Sequence, residues 1–290
     1  IAPGGASARV MIPADSLSQG TNRIGATLNG VRPEVRITDW EILSPAYRSE
    51  RTIDLTPYFN DQVTRIFQHR YLSPRPQVPT LQLPWQGVGN WCSPLVAPEI
   101  DDEGLRRLAG SRNQITVPGG VPFRTPGTDS MNIVFTSRWA RYPTKSEIPL
   151  SGHASHAYLL MAGSTDPMQS RIVNGKVTVR YSDGTSDSLL LVNPGTWWPI
   201  EEDYRYDAYA FYESTPPPYR VHLKTGLITR RFTGYKAIKG LTDLGVPGGA
   251  ATVLDMPLDG AKTLRSLQLE TEAGDVVIGL MSLTLLNDNR

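Results

Sequence analysis

The chain is predicted to be all-β, an antiparallel β-sandwich or jelly roll with a short helix and long proline-rich connectors. Three observations carry that expectation. Val177, Val179 and Tyr181 alternate with Lys176, Thr178 and Arg180, a period of two that sets one face in a core and the other in water. Asp183-Gly184 then separates this run from SDSLLLV, and a tight hairpin needs the positive φ that glycine adopts without a Cβ clash. Finally, 26 glycines and 24 prolines make about one residue in six of the 290, against a typical ~12%, which favours turns and sheet edges over long helices.

In chain order, ARVMIP at 8–13 and the stretch 22–28 read as two strands around SLSQGTN, and VRITDWEIL at 35–43 as a third. Residues 1–48 are therefore expected to be closing strands of a sandwich or an N-terminal β-subdomain. Thr56 before Pro57 is a good helix start, because threonine caps free N–H groups and proline loses nothing at the first position. Phe59, Val63, Ile66 and Phe67 follow at helical spacing, so a short helix is predicted over 57–69. The stretch 71–98 holds six prolines, each of which removes a ladder donor, and is expected to wrap the surface as a connector. Residues 101–112 carry acids at one end and Arg106, Arg107 and Arg112 toward the other, the polarity of one or two helical turns. Residues 118–126 read as a loop, which completes a helix-and-connector region over 49–130.

From 131 to 290 strands are predicted at 132–137, 145–150, 155–162, 176–181, 186–192, 206–212, 219–224, 250–257, 262–271 and 275–286. The last pair is expected as a hairpin about Ala273-Gly274. Side chains throughout this region are expected to alternate between a dry interior and solvent across two stacked layers.

The run from TSRW through LLMAGSTDPMQS, YSDGTSDSLLL and NPGTWWPIEEDY resembles the C-terminal part of a family of large, Bacteroidetes-like bacterial proteins. The likeness extends upstream through IDLTPYFNDQVTRIF, YLSPRP, LQLPWQGVGNWC and IDDEGLR, and downstream to GGAATVLDMPLD and VVIGLMSLTLL, so it covers most of the chain. Members of that family carry a domain of unknown function, are secreted or periplasmic and occur in polysaccharide-degradation loci. The resemblance implies a β-sandwich region of a glycoside-hydrolase-like polypeptide in a bacterial periplasmic or extracellular setting. It implies no catalytic residues.

Lys plus Arg (29) nearly balance Asp plus Glu (28), so no global field favours nucleic acid or an anionic membrane. Cys92 stands alone, which excludes an internal disulfide and a cysteine-built zinc site. No run of about 18 apolar residues is present, so no spanning helix is predicted. The chain starts at Ile1 and enters almost at once into strand text, as expected of a processed product or a piece of a longer polypeptide with a catalytic domain elsewhere in it. No GxSxG elbow, P-loop, HExxH, EF-hand loop or dinucleotide fingerprint occurs, which leaves esterase, NTPase, zincin and Rossmann readings without support.

Chemistry is therefore sought in aromatic and acidic clusters. Trp197 and Trp198 precede Glu201, Glu202 and Asp203, with Tyr204 after them; aromatic faces stack on sugar C–H faces while carboxylates accept from hydroxyls. The same two indoles can instead plug the end of a sandwich, one N–H bonded inside. Trp85 and Trp91 flank a Gly-rich turn and can either clasp a sugar or pin the connector down. For hydrolysis, Asp101 and Asp102 on one loop and Glu201 and Glu202 on another are the candidate acid and base, provided that they meet in space. His153 and His156 at i, i+3 point to opposite faces of a strand, so no metal site and no cofactor is expected, apart from a structural calcium ion for which Asp166, Asp183 and Asp187 are the candidates. Two functions follow. One is a non-catalytic carbohydrate-associated sandwich, binding glycan or scaffolding a catalytic domain of the same polypeptide; the other is a glycoside hydrolase, or part of one, using the loop carboxylates.

Overall fold

The computed structural model describes residues 20–25, 34–39, 48–68, 99–138, 142–165, 171–193, 195–203, 217–230, 236–238, 241–274 and 276–288. Its strands in chain order are β1 (Gly20–Gly25), β2 (Glu34–Asp39), β3 (Arg48–Ile53), β4 (Gln114–Val117), β5 (Val121–Arg124), β6 (Val134–Ser137), β7 (Lys145–Pro149), β8 (His156–Thr165) and β9 (Val173–Tyr181). They continue as β10 (Ser186–Val192), β11 (Glu202–Asp203), β12 (Arg220–His222), β13 (Ile228–Thr229), β14 (Lys236–Ile238), β15 (Leu241–Gly245), β16 (Ala250–Pro257), β17 (Leu264–Thr271) and β18 (Val276–Asp288). One α-helix, α1 (Glu103–Ala109), precedes β4. The chain is an antiparallel all-β sandwich.

Two sheets form its body. The smaller has the order β10-β9-β17-β7; the larger runs β13-β12-β16-β8-β18-β3, with β6 also paired to β18. Strand β18 is the axis of the larger sheet: β8 lies along one side, while β6 covers the first part of the other side and β3 the rest. Connections from β6 to β9, and again from β16 to β18, cross from one sheet to the other each time. The expected hairpin at Ala273-Gly274 is thus corrected to an inter-sheet crossing. Strand β17 pairs with β7 and β9 while β18 pairs with β8, so the turn joins layers rather than neighbours.

Alternation between core and water holds in part for the smaller sheet and fails for the larger. Val177, Val179, Leu267 and Leu269 point into the inter-sheet core; on the other face Lys176, Arg180 and Glu270 reach solvent, while Thr178, Ser266 and Gln268 are buried. Every residue of β8 is buried. Leu159 and Met161 fill the inter-sheet core, while Tyr158, Leu160 and Ala162 enter a second core on the opposite face. Near-continuous apolar text such as HAYLLMAG is what a strand covered on both faces requires. In β18 a register shift between Leu280 and Ser282 inserts one residue, so that even-numbered Ile278 and Leu280 before it and odd-numbered Leu283 and Leu285 after it all face the same inter-sheet core.

The second core is closed by residues expected to be helix and connector. Ile66 and Phe67, Leu105 and Ala109 of α1, and Ile115, Val117, Val121 and Phe123 of the β4–β5 hairpin pack over Leu160, Val253 and Val277. Strand β3 also pairs with β18, so the described part of 49–130 belongs to the same packed body as the region beyond 131. The hairpin replaces the loop expected at 118–126: Val117 pairs with Val121 across the three residues Pro118, Gly119 (φ 84°) and Gly120 (φ 76°), the last two in the left-handed region that favours glycine.

The helix expected over 57–69 is a turn at 56–58 followed by a single 3₁₀ turn, Val63–Arg65. Tertiary pairing outcompetes it. The side chain of Asn60 exchanges two hydrogen bonds with the backbone of Phe135, at 2.9 and 2.8 Å, and Asp61 bridges to Ile133, so the chain is held extended where the helix would run. The expected helix at 101–112 is present as α1 and the 3₁₀ turn Gly110–Arg112. Strands expected at 8–13 and 206–212 and the connector at 71–98 lie outside the described residues.

Candidate ligand cleft

The four candidate carboxylates have different fates. Asp101 stands at the start of α1, where its Oδ1 accepts from the Glu103 N–H at 3.0 Å and its Oδ2 lies 3.4 Å from the Lys224 ammonium. Asp102 is buried; its Oδ1 accepts from Arg106 Nε at 2.9 Å, and its Oδ2 from Arg106 Nη2 at 2.9 Å and Asn132 Nδ2 at 2.7 Å. Glu201 is buried as well and accepts from the Ser164 hydroxyl at 2.7 Å. Glu202 begins β11, and its side chain lies outside the described residues.

The two acidic loops do dock on one segment of backbone. The Asp101 N–H donates to the Gly248 carbonyl at 3.1 Å, and the Val246 N–H donates to the Glu201 carbonyl at 2.7 Å. Asp102 does not face a partner acid; it is neutralised by a bidentate guanidinium, which makes it an anchor rather than a proton donor.

The tryptophans of 197–198 are core. Trp197 is 1% exposed and Trp198 3%, which leaves no indole face open for a sugar. Trp197 lies against Gly163, whose missing side chain makes the room: a Cβ there would stand 3.0 Å from indole Cζ3 and collide with the Val277 carbonyl oxygen. Its Nε1–H donates to Asn174 Oδ1 at 3.0 Å. The stacking expectation for this pair is thereby corrected, since a plug at the sandwich end cannot also be a platform. Trp85, Trp91, Tyr204 and Asp166 lie outside the described residues.

Asp183 accepts from the N–H and hydroxyl of Thr185, which hold its carboxyl below the ordinary range, and the Lys262 ammonium lies 3.7 Å from it and 3.6 Å from Asp259. Asp187 accepts from the Tyr181 hydroxyl. Among the described residues no three His, Cys, Asp or Glu side chains gather as a metal site would require, and no helix is long and apolar enough to cross a membrane.

A half-open cleft lies elsewhere, between the loop that leaves β3 and the base of the β4–β5 hairpin. Asp54, Phe59, Asn113, Arg124, Thr128 and Ser130 line it, and its volume is about 210 Å³. That is below the roughly 300–1,000 Å³ of pockets that engulf a drug-sized ligand, and is room for a single small ring. Phe59 is half-buried, backed by the inter-sheet core. Arg124 Nη1 lies 3.6 Å from Asp54 Oδ2, with the side chains 51% and 49% exposed.

Asp102 builds one wall of this cleft from behind. The guanidinium that it holds donates to the carbonyls of Thr128 and, at 3.0 Å, Ser130. Asn132 joins the same network by accepting from the Val63 N–H at 2.9 Å, while the Tyr142 hydroxyl donates to Asp61 Oδ2 at 2.7 Å beneath it. Asn113, at φ 51°, accepts from the Gly127 N–H at 2.8 Å and sets the opposite corner.

No sequence pattern marks this cleft, because its residues come from three separated segments and none of them points to the others. The one available signal was Phe59, an aromatic residue beside Asp54 and Asn60, and helical spacing claimed it for a core. No protein-family model matches the chain, and no curated protein matches it in sequence.

Proposed function

We propose that the chain is a non-catalytic, carbohydrate-associated β-sandwich of a larger bacterial polysaccharide-degrading polypeptide, periplasmic or extracellular, and that it binds glycan at the Asp54–Phe59–Arg124 cleft. The observation that carries this reading is the composition of the cleft: one half-buried aromatic ring beside a carboxylate, a guanidinium, an amide and the three hydroxyls of Thr56, Thr128 and Ser130. A sugar presents an apolar C–H face and a rim of hydroxyls, and these groups complement both. A catalytic domain of the same polypeptide would act on the glycan held there. Affinity electrophoresis of the chain through gels containing plant or bacterial polysaccharides tests the reading, with a reducing-end assay on the same mixtures. Retarded migration without release of reducing ends is expected.

A hydrolase remains as the second reading, favoured by the docking of both acidic loops on segment 246–250. It requires reducing ends to appear and to vanish in Asp101→Asn or Glu201→Gln, and that result would displace the accessory-module reading.

A further inference from the structure

The ion pair in the cleft is half exposed and loosely closed. Arg124 Nη1 and Asp54 Oδ2 stand 3.6 Å apart, past the reach of a direct hydrogen bond, and an oxygen seated beside the pair can lie within hydrogen-bond distance of both. Asp54 is held ready for it. Its Oδ1 accepts from the Thr56 N–H at 3.0 Å, which fixes the carboxyl group and leaves Oδ2 turned to Arg124. Those bonds from Thr56 also keep the carboxyl below the ordinary carboxylate range, so it is an acceptor with no proton to give near neutral pH.

Resting on the glycan-binding reading above, we propose that the cleft selects a neutral sugar ring, seated on Phe59 and fixed by a hydroxyl that bridges Asp54 and Arg124. A hydroxyl is the group that satisfies both charges at once, because it donates to the carboxylate while it accepts from the guanidinium. A uronate carboxylate can take the guanidinium but then confronts the negative charge of Asp54, and an ammonium meets the reverse obstacle. Asn113 adds a directed donor: its Oδ1 is taken by the Gly127 N–H, which leaves Nδ2 as the group that it offers. The half-exposure of both ionic side chains lowers the desolvation that binding costs, and the small volume limits the contact to one ring.

Calorimetric titration of the full chain tests this. The probes are neutral hexasaccharides of β-1,4-xylan, β-1,4-glucan, β-1,4-mannan and α-1,4-glucan, set against hexagalacturonate, with Asp54→Ala, Arg124→Gln and Phe59→Ala as variants. At least one neutral hexasaccharide is expected to bind, hexagalacturonate at least tenfold more weakly, and Asp54→Ala and Arg124→Gln each to lose at least tenfold in affinity with the melting temperature unchanged. Because Phe59 is backed by the core, its variant counts only beside a melting curve; the two surface variants keep the test decisive. Preference for hexagalacturonate, tightened by Asp54→Ala, overturns the neutral-sugar assignment and leaves the carbohydrate reading intact. Unaltered neutral-sugar affinity in both surface variants moves the site elsewhere and overturns the cleft. Silence from every saccharide, in gels as well as in solution, sinks both.

Discussion

Asp102 and Arg106 lie one helical turn apart, and neither charge reaches water to any extent, with side chains 8% and 10% exposed. Taking away one member strands the other, at a cost of about 3–5 kcal/mol in buried pairs. Asp102→Ala is therefore expected to lower the unfolding free energy by about that amount in urea titration; a loss under about 1 kcal/mol would show that the pair is a solvated bystander. A second buried group acts through protons. His222 is enclosed, and burial first, then the neighbouring Arg220 charge, pushes its pKa from 6.5 down to about 4. The unfolded chain takes up this proton near pH 6.5, whereas the folded chain refuses it until about pH 4. Stability consequently declines as pH falls through that window and levels off below it, by on the order of 3 kcal/mol in all. His222→Asn should flatten this part of the profile, so that the urea midpoint falls less between pH 7 and pH 4.5 than in the parent chain. Equal slopes in the two proteins would remove His222 as the source.

Among the elements, Trp197 illustrates what a sequence can and cannot disclose. Its position just past β10 was legible, as were β10 and β16 themselves, because short apolar runs bounded by turn residues set their limits locally. Which way the indole points was not legible. That depends on Gly163 of β8 and Asn174 of β9, distant in sequence and joined to it only by packing. The same limit explains the helix expected at 57–69: Val63, Ile66 and Phe67 do go inward as their spacing promised, but Asn60 pairs with Phe135 and cancels the first turns. The β4–β5 hairpin was obscured by Pro118, Pro122 and Pro126, although Pro122 is tolerated there because its strand has a single ladder partner among the described residues. The cleft was the least legible feature, since it exists only where the β3 exit loop, Asn113 and the end of β5 meet. Trp197→Ala should cost about 3–5 kcal/mol, the range for a large aromatic residue lost from a core, and Trp197→Phe less. Stability within about 0.5 kcal/mol of the parent, with glycan affinity lost, would return Trp197 to the surface as a platform.

At the scale of the whole molecule, the larger sheet is the layer from which the two cores depart, one toward the smaller sheet and one toward the α1 and β4–β5 cap. Amides of β8 and β18 are bonded within this doubly covered sheet, so their exposure requires both cores to part. The cap hairpin is a two-stranded sheet of its own with no ladder to either large sheet among the described residues, and it is expected to open while the sandwich stays closed. Native-state hydrogen exchange over a urea series should therefore place β8, β16 and β18 on the isotherm for global unfolding, with β4 and β5 below it on a shallower slope. Saccharide at about 100 times its dissociation constant should raise protection of β5 and of the loop after β3 by up to about 2.7 kcal/mol, the mass-action limit for a ligand that binds only the closed cap. Core amides should rise by the same amount and no more, because global opening also destroys the cleft. If the hairpin exchanges as slowly as β8 before any ligand is added, the cap is an integral layer with no opening of its own, and the cleft it borders is rigid.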